Sequence, residues 1–229
     1  MQPYLFPYLG YFNLVKASDY FVFYDDVNFI KKGWIHRNRI IINGHEHLFT
    51  VPLHKSGQNL LINQINISNY SEFRTDFIRK ITFAYKKAPF FEHGLYYLND
   101  VFNDEFVNIN ELAINSVFKF CKLLEIETKF FRSSISFPET IGVGKAERLI
   151  QISHKLGVEN YINAAGGKHL YCKEHFSNHG LNLQFLIPKL DEYTHFNSEA
   201  YKPGLSIIDV LMNVPLADVA RMINAYELE

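Results

Sequence analysis

Apolar and polar positions divide the chain into short segments of two kinds. Residues 12–17, following a turn over 7–10, carry apolar side chains at helical spacing. Residues 19–24 form a nearly continuous apolar run closed by Asp25 and Asp26, the pattern of a buried strand. Residues 34–42 are rich in strand formers, Asn43-Gly44 is a hairpin signal, and 47–53 reads as the returning strand. Another strand is expected over 60–67. From 72 to 124 the spacing turns helical, with Pro89 ending one helix and Asn110 capping a second. Strands at 129–133, 161–163 and 181–186 then alternate with helices at 145–156, 205–213 and 216–226. Gly157 closes the first of these helices.

This alternation predicts an α/β fold with a mainly parallel sheet flanked by helices. No Gly-, Pro- or Ser-rich linker interrupts the 229 residues, so one domain over 1–229 is expected, with 72–124 as a helical insertion or subdomain. Hydrophobic residues make up 48% and charged residues 21%, which excludes a disordered chain. A net charge of -1 excludes the basic footprint of a general nucleic-acid binder. No apolar run is long enough to span a bilayer, and the first residues lack the form of a signal peptide. Two cysteines, Cys121 and Cys172, do not make a disulfide framework and are expected as buried thiols. A cytoplasmic setting follows as the expectation. The aromatic share of 16% points first to an aromatic core and second to a cleft walled by tyrosine, given Tyr4, Tyr8, Tyr11, Tyr20 and Tyr24.

Five constellations carry candidate chemistry. From Gln2 through Tyr8, Gly10 and Tyr11, two prolines and a glycine set a tight turn before a helix start, where amides favour an anion. Asp25 and Asp26 end a strand, where α/β proteins usually bind ligands; continued alternation would point them to opposite faces. Lys31, Trp34, His36, Arg37, Asn38 and Arg39 form a cationic stretch around the single Trp, with Arg37 and Arg39 as phosphate or carboxylate clamps. Lys145 and Arg148 share a face at a predicted helix start and make a second anion site. Asn163, Gly166, Gly167 and Lys168 follow a strand, where a Gly-Gly turn can offer amides to a ligand. Against each stands a plain structural reading: a packed turn, a helix cap, a solvated charge run, an ordinary loop. No metal site is expected, since no His or Cys stands at ligand spacing beside the two aspartates. Lys55 is a weak further candidate, and a triad through Ser206 and Asp209 lacks a nucleophile elbow.

The segments MQPYLFPYLGYF, FVFYDDVNFIKKGWIHRNRI, FTVPL, GKAERLI, YINAAGGKHLY and LSIIDVLMN, in this order, resemble the WbqC-like family of surface-polysaccharide gene clusters. The resemblance implies a transferase of O-antigen biosynthesis that acylates the amine of a nucleotide-linked amino sugar with glycine. An activated acyl donor would be its co-substrate, and no cofactor is implied with certainty. In that chemistry Asp25 or His36 would accept the amine proton. Asn38 and amides near Gly10 or Gly166 would hold the oxyanion. Arg37, Arg39, Lys145 and Arg148 would bind phosphates, and Tyr8, Tyr11 and Trp34 would stack on base or sugar. The turn over 6–14 is also similar in layout to the HxGH turn of nucleotidyltransferases, with Tyr8 and Tyr11 where that motif has histidines. Two alternatives follow: a nucleotidyltransferase-like enzyme, and a non-catalytic nucleotide-sugar-binding protein. Exposed aromatics leave room for a homodimer.

Overall fold

The computed structural model describes residues 1–54, 59–198 and 200–229; the candidate Lys55 lies outside them. Helix α1 (Leu9–Lys16) starts earlier than the apolar spacing predicts, because extended Tyr8 caps it and the Tyr8 carbonyl already accepts the Tyr11 N–H at 3.0 Å. Gly10 sits under the Tyr8 ring: a Cβ there would lie 2.4 Å from a ring carbon. Its role is thus to let Tyr8 fold over the helix start. Strand β1 (Tyr20–Phe23) follows, and then the hairpin of β2 (Arg37–Ile42) and β3 (His45–Thr50). Its turn has φ of 50° at Asn43 and 79° at Gly44, as a primed hairpin turn requires.

The strand expected over 60–67 does not form. Ile62–Gln64 makes a 3-10 turn, and the amides of Ile62 and Asn63 donate to the carbonyls of Val27 and Asp25 at 2.9 and 3.0 Å. The backbone there is spent on the loop after β1, and no ladder is left to build. Three helices follow where two were read: α2 (Tyr70–Tyr85), α3 (Phe91–Val101) and α4 (Ile109–Leu123). The middle one is obscured in sequence by Gly94, which is glycine because Met212 packs on it; a Cβ would meet that side chain at 2.5 Å. The cap of α4 is Asn108, whose side chain accepts the Asn110 N–H at 2.8 Å. Asn110 itself lies inside the helix.

Strand β4 (Lys129–Arg132) pairs in parallel with β1 and runs into the short α5 (Ser133–Ser136). Helix α6 (Lys145–Leu156) ends on Gly157 at φ 66°, as its sequence predicts. Then β5 (Asn160–Ala164) pairs in parallel with β6 (Asn182–Pro188) across the short α7 (Lys173–Ser177). Helices α8 (Ile207–Asn213) and α9 (Leu216–Ile223) precede β7 (Tyr226–Leu228), which lies antiparallel on β6. The expected last turn of α9 is replaced by β7, because the buried Asn13 side chain donates to the carbonyls of Met222 and Ile223, both at 2.9 Å. The fold is therefore α/β, and among the described residues its strands form three small sheets, two of them built on parallel pairs.

The core is aromatic, with helices α2, α3 and α4 packed into the same cluster as α1 and β1. At its centre is Phe6, a non-glycine residue at φ 44°. Its ring lies 5.8 to 6.2 Å from those of Phe49, Phe77, Tyr97 and Phe102. Its N–H donates to Ser116 Oγ at 3.1 Å, and its carbonyl accepts from Asn38 Nδ2 and Ser206 Oγ, each at 2.8 Å. A second polar hub is buried Asp209, which accepts from Tyr85 at 2.5 Å, Tyr193 at 2.9 Å and His195 Nδ1 at 2.7 Å. Ser206 and Asp209 are thus structural groups. Cys121 is buried as expected; Cys172 is exposed, because it caps a short surface helix. No described helix is long and apolar enough to cross a membrane.

Asn38→Ala removes two buried donors to the Leu5 and Phe6 carbonyls. It should cost about 2 kcal/mol and lower the midpoint of thermal unfolding by roughly 4–8 °C. Calorimetry of the two proteins checks it.

Candidate functional site

A cleft of about 1020 Å³ opens between β1 and β5, with α1 and α6 contributing to its lining. Near the carboxyl ends of β1 and β5 its wall is polar. Tyr24 and Asp26 follow β1, Lys145 and Arg148 come from the first turn of α6, and Asn163, next to the last residue of β5, joins Tyr161 and Tyr171 in the lining. The remainder is largely apolar, with Leu14, Ala17, Leu149, Ile152 and Leu156. Lys145 is exposed at the start of a helix capped by Gly144 without a side-chain bond, so helix amides and an ammonium group face the same space.

The two aspartates do not separate to opposite faces. β1 ends at Phe23, and both carboxylates turn to the start of α5. Ser133 Oγ donates to Asp26 at 2.6 Å and accepts the Asp25 N–H at 3.2 Å. Asp25 is fully buried and receives the Ser134 N–H at 3.0 Å, Ser134 Oγ at 2.8 Å, Asn110 Nδ2 at 3.1 Å and Arg132 Nε at 3.1 Å. Burial alone would raise its pKa. The Ser134 amide and hydroxyl and Arg132 outweigh that and hold it below the ordinary carboxylate range. Such a carboxylate is a poor base, and it does not line the cleft. Asp26 does, and Arg148 Nη2 holds its other oxygen at 2.6 Å. Arg148 also donates to Thr140 at 2.9 Å and lies 4.6 Å from the Tyr24 ring centre. It is therefore committed to Asp26 rather than free to clamp phosphate. Burial raises the Tyr24 phenol even with Arg148 pulling the other way, so Tyr24 is a neutral hydrogen-bond donor at pH 7.

The cationic stretch lies apart from this cleft. Arg37 and Arg39 sit 5.9 and 5.6 Å from the Trp34 ring centre. Arg37 donates to the carbonyls of Gly33 and Lys32. Arg39 pairs with Glu46 at 2.7 Å and reaches the Pro203 and Gly204 carbonyls. Lys31 is exposed in the preceding loop. Asn38 spends its amide on the main chain of Leu5 and Phe6. His36 is buried against Phe29 with Nδ1 unpartnered; burial, and then Arg37, lowers its pKa to about 4. Tyr11 is a core residue donating to the Gln2 carbonyl at 2.9 Å. Tyr8 faces a small hollow with Tyr193 and Tyr201, away from the cleft. Gln2 and Asn163 line the cleft. Gly167 lies tight beneath the Asn163 amide, Gly166 is open, and Lys168 pairs with Glu229.

The structure thus brings Gln2, Asp26, Lys145, Arg148 and Asn163 to one cleft, and leaves Arg37, Arg39 and Trp34 on a separate patch. Sequence reading missed Ser133, Ser134 and Arg132, which lie about a hundred residues from the aspartates they hold. It also passed over Tyr161, which resembles any other core tyrosine in the pattern. Among the described residues no three His, Cys, Asp or Glu side chains gather as a metal cage.

Residues 2–221 match the profile of the WbqC-like protein family, to which the chain belongs. It is also 25% identical over 211 residues to the protein named "Uncharacterized protein Rv1507c" of Mycobacterium tuberculosis, covering 91% of this chain and 89% of that one. No solved structure matches the chain.

A buried neutral imidazole makes stability pH-dependent. His36 titrates near 4 in the folded protein and near 6.5 unfolded, so the unfolded state takes up its proton first as pH falls. The destabilisation grows from about pH 6.5 and levels off below about 4. Urea midpoints of the wild type and His36→Gln, compared at pH 7 and 5, should show a smaller acid loss in the variant.

Proposed function

We propose that the chain is a transferase that binds a nucleotide-linked amino sugar in the cleft between β1 and β5 and acylates its amine, with glycine or a similar acyl group, in the cytoplasm. The observation that carries this reading is the polar end of the cleft. An exposed lysine at a helix start without a side-chain cap shares the lining with Tyr24, Tyr161 and Tyr171. Amides and an ammonium group suit a diphosphate, and phenol rings suit a base or sugar face. Family membership supports the class of chemistry, since the resemblance to WbqC-like proteins implies acyl transfer in surface-polysaccharide synthesis.

In this reading the sugar amine attacks the acyl carbonyl of an activated donor. A C–N bond forms, the oxyanion collapses, and the donor's leaving group departs with its bonding electrons. Asp26, the carboxylate on the cleft wall, takes the amine proton. Asn163, which lines the cleft, is the donor this reading assigns to the oxyanion. The nucleotidyl reading is disfavoured, because Tyr8 and Tyr11 do not line the cleft.

Lys145→Ala should weaken binding of a UDP-linked amino sugar about tenfold, the loss of one charge-assisted contact. The unfolding midpoint should stay unchanged, since the side chain is exposed. Calorimetric titration reads both the affinity and, with an aminoacyl donor present, any turnover. Wild-type affinity in the variant defeats the assignment; tight binding without acylation at any donor reassigns the protein as a nucleotide-sugar binder.

A further inference from the structure

β5 carries Tyr161 and Asn163 two residues apart, on one face of the strand, and both line the cleft. Ile162 between them packs against the main core instead. The Asn163 amide donates one N–H to the Tyr161 hydroxyl oxygen at 3.2 Å. Among the described residues no protein acceptor meets the hydroxyl proton of Tyr161 or the second N–H of that amide. Burial first, and then the neighbouring phenols of Tyr171 and Tyr24, raise the Tyr161 pKa, so the hydroxyl keeps its proton at pH 7 and remains a donor.

Both groups are held from behind. The Tyr161 ring stacks on the fully buried Phe176, with centroids 5.5 Å and planes 12° apart. Tyr171 meets the same Phe176 edge-on at 6.0 Å. Phe176 in turn belongs to the smaller core with Ile150, Leu181, Leu183 and Phe185. On the other side the turn after β5 closes on Asn163: a Cβ at Gly167 would lie 3.1 Å from the amide oxygen. Phenol and amide are thus two neutral donors fixed side by side.

We propose that Tyr161 and Asn163 form a subsite for a carbonyl oxygen, that of the acyl group carried to the sugar amine. This subsite rests on the acyl-transfer reading and adds to it the place of the acyl group. Two donors 3.2 Å apart suit the two lone pairs of one carbonyl oxygen. The bond from Asn163 polarises the Tyr161 hydroxyl and strengthens it as a donor. A phosphate is the poorer fit, because neither donor is charged and the nearby cations are engaged: Arg148 with Asp26, and Lys168 with Glu229. Phosphate is drawn instead to Lys145 and the α6 amides. As the amine attacks, negative charge gathers on the carbonyl oxygen, where donors already in place stabilise it without reorganising. The C–N bond forms, the amine proton passes to Asp26, and the leaving group departs with its bonding electrons. The same oxygen is then the amide carbonyl of the product, still in its cradle.

The test compares two probes on the full chain by calorimetric titration. UDP-N-acetylglucosamine carries an amide carbonyl on its sugar, and UDP-glucose does not. The wild type should bind the first about tenfold more tightly. Tyr161→Phe keeps the stacked ring and removes only the hydroxyl, so its thermal midpoint should stay within about 2 °C of the wild type. Its preference between the probes should fall to about twofold or less. Asn163→Asp, which replaces a donor with a carboxylate acceptor, should abolish the preference. Equal binding of the two probes by the wild type overturns the subsite and leaves the nucleotide-sugar reading in place. A tenfold preference kept in either variant does the same. Binding of neither probe by the wild type removes that reading, and the subsite with it.

Discussion

One residue in an unfavourable conformation holds the molecule together. Phe6 adopts a positive φ that a bulky side chain avoids, at a cost of order 1–3 kcal/mol. The surroundings over-determine it. Four rings from β3, α2, α3 and the residue after α3 surround its side chain, while Ser116, Asn38 and Ser206 hold its peptide groups. These residues come from α4, the hairpin and the cap of α8. The sharp bend at Phe6 ties these three elements to one point. It also sends the chain from the cleft at Gln2 into the start of α1.

The site inherits its order from this arrangement. With the N-terminal turn fixed, α1 and β1 follow in a set direction, and β1 delivers Asp25 and Asp26 to the start of α5. Asp25 then works as an anchor: four donors converge on it and none of its capacity faces the cleft. Asp26 is split between Ser133 and Arg148, which links α5 to α6 through one carboxylate. The buried ion pair is satisfied on both sides, as such a pair must be to persist. The chemistry is left to groups at the margin: an exposed lysine, neutral phenols, and a carboxylate whose two oxygens are each held by one donor.

Local features were legible in the sequence. Asn43-Gly44 requires a primed turn and makes one; Gly157 stops α6 where the periodicity stops. The α/β class followed from alternating segments. What the pattern concealed is long-range. The 60–67 segment has the apolar character of a strand, yet its amides are claimed by the loop after β1. The cationic stretch looks like a phosphate clamp, but Trp34, Glu46 and backbone carbonyls occupy its guanidinium groups. The partners of Asp25 and Asp26 are serines and an arginine far along the chain, residues without any spacing signal. Buried and cleft tyrosines are the same letter, so Tyr11 and Tyr171 could be told apart only once packed.

Asn13 gives the fold a temporal character. This side chain of the first helix terminates the last one, taking up carbonyls about 210 residues away. During synthesis α1 therefore emerges with a buried polar group whose partners do not yet exist. Those partners exist only once α9 has been made. Contacts of such sequence separation slow folding, and they close late. Helix α1 is thus completed only when α9 docks, so the two are poorly suited to being assembled piece by piece.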